Sequence, residues 1–371
     1  MRPNVWQRLD HLQPLLAGML LVLGLMTVYS AHADWMRQVV WVVVGAAAYV
    51  AMAAFDYRRL PALAPWLYAA MLALLLAVQI FGRSALGAQR WLSVGGFPLQ
   101  PSELSKLLLV LVLATYLGRL EKLSWRAFGG ALGLVAPAAA LILTQPDLGT
   151  TIVVVAVLVG MLFLAGARLT QLVSLAACAA VVLPLLPHLL HGYQRRRLEI
   201  FLNPGSDPLG AGYNLLQARI AVGAGGLFGQ GWLHGLQGAL GFVPERATDF
   251  VFAVYAEQFG LLGCLLLLAV FGALLVRLLR SAAMAPDRFG GLVAGGVFVM
   301  IFAQVVENVG MNIGLLPIAG IPLPLISYGG SATVTTLAAL GIVQSMMLRR
   351  PLLQHRERTR LSGNISVRAQ A

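Results

Sequence analysis

Asp249 is the residue whose type and position most directly suggest chemistry. It follows Pro244, Glu245, Arg246, Ala247 and Thr248 and lies just before an uninterrupted apolar run starting at Phe250. A carboxylate at the lip of a membrane span is costly unless it is neutralised or put to use. Placed against a hydroxyl it can act as a general base, typically worth ~10²–10⁴ in rate. A structural role competes with this one, because Thr248 and Asp249 are both common helix N-caps.

Four further groupings break the apolar pattern. Glu103 and Lys106, in Gln100-Pro101-Ser102-Glu103-Leu104-Ser105-Lys106, lie three apart on one helical face and can neutralise each other. Ser102 can cap that helix and Pro101 suits its entry. The alternative for Lys106 is a cation presented to an anionic head group. Arg90 stands beside Trp91 and can clamp a phosphate or anchor the chain at the interface, with the anchor favoured. Gln304, Glu307, Asn308 and Asn312 share one helical face, which must point into protein or a wet cavity; a cavity is expected. Last, residues 316–331 carry Pro317, Pro322, Pro324, Gly320, Gly329 and Gly330, which prevent a continuous helix. Their backbone amides between Ser327 and Ser331 could form an anion-binding nest, or the segment could be a tight re-entry turn.

These residues have to be positioned by membrane helices. Hydrophobic residues make up 59% of the chain and charged ones 11%, against roughly 25% in a soluble domain. Apolar runs of membrane-spanning length recur throughout, and no alternating β-barrel pattern is visible. The fold class is an all-α polytopic membrane protein of ten transmembrane helices, at about 14–31, 36–55, 62–81, 102–119, 126–143, 148–166, 169–191, 250–277, 289–313 and 324–348. The one long polar stretch, 191–257, forms a large extracytoplasmic loop (192–249) between spans seven and eight. Residues 1–350 make a single transmembrane domain, and 351–371 a short basic cytoplasmic tail.

Ala31-His32-Ala33 resembles a signal-peptidase site, but the apolar run before it is long and many spans follow, so it reads as an uncleaved first helix. Most Lys and Arg fall in segments that are cytoplasmic if the N-terminus is inside. Both termini are therefore expected in the cytoplasm, and 192–249 outside. The net charge of +12 is explained by those loops and gives no sign of a nucleic-acid partner. Cys178 and Cys264 both lie in apolar spans and supply neither a disulfide framework nor a metal-ligand spacing. The histidines do not converge, and the cytoplasmic segments carry no nucleotide-binding glycine motif.

Five stretches carry a family resemblance: QPSELSKL (100–107), TQPDLGTT (144–151), FLNPGSDPLGAGYNLLQARIAVGAGGLFGQGW (201–232), VPERATDFVFAVYAEQFG (243–260) and LPIAGIPLPLISYGGSA (316–332). Together they resemble the SEDS (shape, elongation, division and sporulation) proteins over essentially all ten spans. Pro244-Glu245-Arg246, Gly231-Trp232 and Pro322-Leu323-Pro324 look more like the elongation members than the division members. The resemblance implies a peptidoglycan glycosyltransferase of the cytoplasmic (inner) membrane that polymerises lipid II on the outer face. It also implies a class B penicillin-binding protein and other elongation-complex membrane proteins as partners.

By that resemblance Asp249 is the catalytic aspartate and Glu103–Lys106 an intramembrane ion pair. Arg90 and the turn with Ser327, Gly329, Gly330 and Ser331 fall on motifs linked to the substrate cavity; Glu245, Arg246 and Asn308 are further substrate-binding candidates. No metal ligands and no certain cofactor are implied. Nearby Arg and Lys, or a divalent cation (Mg or Mn), could stabilise the leaving diphosphate. A lipid flippase and a non-catalytic scaffold are the competing functions.

Overall fold

The structure, a computed structural model, describes residues 10–85, 88–94, 97–182, 195, 197, 199–201, 203, 211–235, 242 and 244–349. The tail and most of the first half of the large loop lie outside the described residues, as does the end of the expected seventh span. Its helices are α1 (Leu12–Ser30), α2 (Trp35–Ala54), α3 (Leu60–Phe81), α4 (Pro101–Gly118), α5 (Trp125–Thr144), α6 (Leu148–Leu164) and α7 (Leu169–Val182). They continue as α8 (Ala211–Ala224), α9 (Val251–Ala283), α10 (Arg288–Asn312) and α11 (Gly330–Leu348). Among the described residues eight helices are long and apolar enough to span a membrane; α6 and α7 are apolar but shorter.

Local chemistry sets many of the boundaries. Asp34, Ser124, Asp147 and Asp287 each cap a helix by accepting from a backbone N–H three residues on. Pro101 occupies the first position of α4 and Gly82 ends α3. Ser102 does not cap α4: the N-cap is Gln100, without a side-chain bond, and the Ser102 hydroxyl turns to Asp147 instead.

α4 and α11 form the centre, with 83% of the apolar 18-residue stretch of each buried, against 17% for α2. Two features were not legible beforehand. Residues 83–99 form a small antiparallel sheet, β1 (Arg83–Ala85), β2 (Ala88–Val94) and β3 (Phe97–Leu99), in the order β1-β2-β3. α9 is broken at Gly260, whose φ is +63°. The 226–231 segment after α8 pairs with the freed backbone: Gln230 N–H donates to Glu257 O (2.9 Å) and Leu261 N–H to Gly226 O (2.9 Å). The break is thus satisfied by protein, as an irregular backbone at membrane depth requires.

The last span is shorter than expected. Residues 313–329 are irregular, and their apolar side chains, Ile318, Ile321, Leu323 and Ile326 among them, are buried in the bundle. Room for this segment comes partly from Gly149 of α6, where a Cβ would lie 2.7 Å from Ala319 O. The 313–329 segment, the start of α9, the start of α4 with β2, and the turn between α5 and α6 all meet at one end of the bundle.

Candidate active site

At that end, residues 244–250 form a tight turn. Glu245, at φ +50°, accepts from the N–H groups of Thr248 (3.1 Å) and Phe250 (3.2 Å). α9 begins only after Phe250, and no side chain caps it, so neither Thr248 nor Asp249 is an N-cap. The Asp249 carbonyl accepts from Asn308 Nδ2 (2.9 Å) and Asn312 Nδ2 (3.1 Å). Asn308 also donates to Ile321 O (2.7 Å), and Asn312 Oδ1 accepts from Ala253 N–H (3.1 Å). From the other side, the Ser327 hydroxyl donates to Thr248 O (2.6 Å) and Tyr328 N–H to Ala247 O (2.8 Å). The backbone around Asp249 is clamped from α10 and from the 313–329 segment.

The half-buried Asp249 carboxylate is thereby left on the wall of a pocket, shared with Arg90, Trp91, Gln100 and Arg197. Glu245, Thr248, Gly320, Pro322, Tyr328, Gly329, Ser331 and Ala332 complete the lining. Gly320, at φ +73°, makes the approach possible: a Cβ there would sit 3.1 Å from Arg197 Nη1 and 3.3 Å from Asp249 Oδ2. Loss of hydration pushes the Asp249 carboxyl up, Arg197 and Arg90 pull it down, and Glu245 and Asp147 push it up. The balance raises it to about 6. Such a group is ionised at neutral pH yet basic enough to take a proton from a hydroxyl.

Arg90 corrects an expectation. It is no interfacial anchor: its side chain, 13% exposed, turns inward and lies 3.7 Å from Asp147 Oδ1. It also donates to Gln145 O (3.1 Å) and to Pro146 O. Asp147 is buried and gathers Thr150 Oγ1 (3.0 Å), Ser102 Oγ (3.0 Å) and Gln100 Nε2 (3.4 Å) around it.

Between the two readings of 327–331, an anion nest or a re-entry turn, the hydrogen bonds of the first three amides favour the turn. Ser327 N–H bonds Leu323 O, Tyr328 N–H bonds Ala247 O, and Gly329 N–H bonds Gln38 Oε1 (3.1 Å). Those three amides are spent, and the turn is held by Gln38 of α2. On the polar face of α10, Asn308 and Asn312 serve as backbone clamps, and Gln304 and Glu307 are buried.

Of the residues singled out from sequence, Asp249, Arg90, Glu245, Gly329 and Ser331 meet at the pocket. Ser331 Oγ accepts from Gln100 N–H (3.0 Å), tying α11 to α4. Ser327 and Asn308 stand behind the pocket as supports. Gly330 packs against Trp41, and Arg246 turns toward α1 to donate to Ala31 O (2.7 Å). Glu103 and Lys106 form a fully buried ion pair of 2.7 Å away from the pocket wall. Sequence reasoning missed Arg197, Asp147 and Gln38 as site residues. The run Arg195–Arg197 and the stretch TQPDLGTT were the available signals; Gln38 offered none.

Comparison with known proteins agrees with this geometry. The model of the FtsW/RodA/SpoVE family, described as a cell cycle protein, matches residues 11–350. The chain is 42% identical over 364 residues to the peptidoglycan glycosyltransferase MrdB of Escherichia coli (strain K12), covering 95% of this chain and 97% of that one. Among solved structures it resembles a chain from work on the structural coordination of polymerization and crosslinking by a peptidoglycan synthase complex, at TM-score 0.82 and 35% identity. That match covers 93% of this chain and 99% of the other. The rod shape determining protein RodA of Thermus thermophilus superposes with TM-score 0.72 at 31% identity, covering 94% and 99%. With a family model spanning nearly the whole membrane bundle and relatives matched end to end, the chain belongs to the FtsW/RodA/SpoVE family, the SEDS proteins.

Proposed function

We propose that this protein is a peptidoglycan glycosyltransferase that polymerises lipid II, with Asp249 as general base. The observation that carries the mechanism is a carboxylate fixed through its backbone on two sides and facing a pocket with two guanidinium groups.

In the reaction, the acceptor sugar's 4-hydroxyl oxygen attacks the anomeric carbon of the donor, and Asp249 takes the hydroxyl proton. The bond from that carbon to the lipid diphosphate breaks as the new glycosidic bond forms. One displacement converts the α-linked donor into a β-linked product. Inverting hydrolases add a carboxylic acid to protonate the leaving group. A diphosphate leaves as an anion, so Arg90 and Arg197 stabilise its charge electrostatically. Undecaprenyl diphosphate is the second product.

The reading extends to placement and partners. The chain is a multi-pass protein of the inner membrane; both termini face the cytoplasm and the pocket faces outward, in keeping with the Lys and Arg distribution. A class B penicillin-binding protein cross-links the strands made here, consistent with the synthase complex that the structure resembles.

The test is polymerisation of lipid II by purified protein in detergent, with and without that partner. Asp249→Asn should leave a folded protein whose rate falls ~10²–10⁴-fold. Because the base acts ionised, the wild-type rate should be level above about pH 6 and fall roughly tenfold per unit below it. Near-wild-type polymerisation by Asp249→Asn would overturn the assignment. Detergent abolishes any contribution from flipping, so product made there requires a catalyst.

A further inference from the structure

Below the pocket the structure contains a second group of ionisable side chains. Glu103 and Lys106 of α4 pair at 2.7 Å, and Glu307 of α10 is 4% exposed within the bundle. Lys106 and Asp147 are the charged groups that act on Glu307. The other packed helices turn their charges elsewhere: α6 and α11 carry no charged side chain, and Arg219 of α8 donates to Gly314 O. On α9 Glu257 lies against Gly235, Arg277 pairs with Asp10 and Arg280 is exposed.

Among the described residues no donor reaches either carboxylate oxygen of Glu307, nor Oε1 of Gln304 one turn earlier on the same face. Lys106 donates to Glu103. The site thus offers three buried acceptor oxygens without a donor, beside one ammonium serving another carboxylate. An ionised carboxylate left in that state costs several kcal/mol. A proton changes this directly, turning one Glu307 oxygen into a donor and removing the charge.

We propose that Glu307 is a proton-binding site in the membrane interior, carrying an exchangeable H⁺ at neutral pH. The ligand class is H⁺ itself, and binding forms a carboxyl O–H bond without breaking any other. The site sits next to Asn308, whose amide holds the Asp249 carbonyl. The proton therefore sits one residue from the clamp on the catalytic turn.

The experiment is infrared spectroscopy of the full chain in lipid nanodiscs, titrated from neutral to alkaline pH, beside Glu307→Gln. It reads proton binding without any need for activity, so it stands apart from the test of Asp249. The wild type should show a protonated-carboxyl C=O band at neutral pH that shifts in D₂O and is lost reversibly as pH rises. Glu307→Gln, nearly isosteric, should lack that band. Absence of any such band in the wild type at neutral pH overturns the proposal without reference to a variant. A band retained in folded Glu307→Gln overturns the assignment to this residue. A thermal stability that rises with Na⁺ but not with choline, in the wild type alone, would mean that the site holds a metal cation and would overturn the proton.

Discussion

Two groupings of carboxylate and cation lie in this molecule, and they are built oppositely. Glu103 and Lys106 sit three apart on one helix, fully buried, with their charges spent on each other at 2.7 Å. Asp249 meets Arg90 and Arg197, which come from β2 and from the large loop, at a pocket that opens to the outside of the bundle. The first grouping needs one helix; the second needs three separate stretches of chain. In the first the neutralisation is complete, so it is suited to holding α4 within the bundle. In the second burial outweighs the cations and leaves a carboxyl at about 6 that can exchange a proton. A charged pair is structural when its partners are local and dry, and reactive when its partners are distant and face open space.

That comparison can be broken or sharpened by substitution. The largest effect is the loss of turnover in Asp249→Asn. Next is Lys106→Met, which leaves Glu103 buried without its partner and should destabilise by roughly 3–5 kcal/mol, as for other broken buried pairs. The double variant Glu103→Gln/Lys106→Met should recover much of that loss in thermal unfolding. If the double variant is as unstable as the single, the pair is not a self-contained neutral unit.

A smaller effect, divided between rate and stability, is expected from Asn312→Ala. It removes one donor to the Asp249 carbonyl and the acceptor for Ala253 N–H. The Asp249 carbonyl keeps Asn308 and Ala253 N–H keeps Phe250 O (3.1 Å), so the loss is of two hydrogen bonds, about 1–3 kcal/mol together. Displacement of the base should lower kcat up to about 10²-fold with little change in KM. An unchanged kcat beside a lowered melting temperature would make Asn312 a packing residue only. The smallest effect belongs to the exposed pair Arg195–Glu199 (2.9 Å) in the large loop. Arg195→Ala should change stability by less than about 0.5 kcal/mol, which calibrates the buried pair against a solvated one of similar length.

Much of this was legible in the chain itself. The expected spans 62–81 and 102–119 correspond to α3 (Leu60–Phe81) and α4 (Pro101–Gly118), because Pro61, Gly82 and Pro101 punctuate them. The Glu103–Lys106 pair follows from helical spacing alone. Asp249 stood out because a carboxylate beside an apolar run needs a reason. The start of the last span was misjudged, since 324–329 is as apolar as a helix yet irregular, its backbone bonded to the Asp249 turn and to Gln38. The sheet at 83–99 was missed because its strands are short and lie in a glycine-rich stretch. The inward turn of Arg90 was missed too, since an arginine beside a tryptophan looks the same from sequence whether it anchors at lipid or reaches Asp147.

By itself the sequence determined the membrane class, most helix boundaries and the residue at which chemistry is expected. Hydrophobic length, helix punctuation and the cost of a charge near lipid are all properties of neighbouring residues. The surroundings of Asp249 were settled by folding: which two arginines face it, which two asparagines hold its backbone, and which amides are already spent. Those answers depend on distances between segments tens to hundreds of residues apart, which helical spacing does not encode.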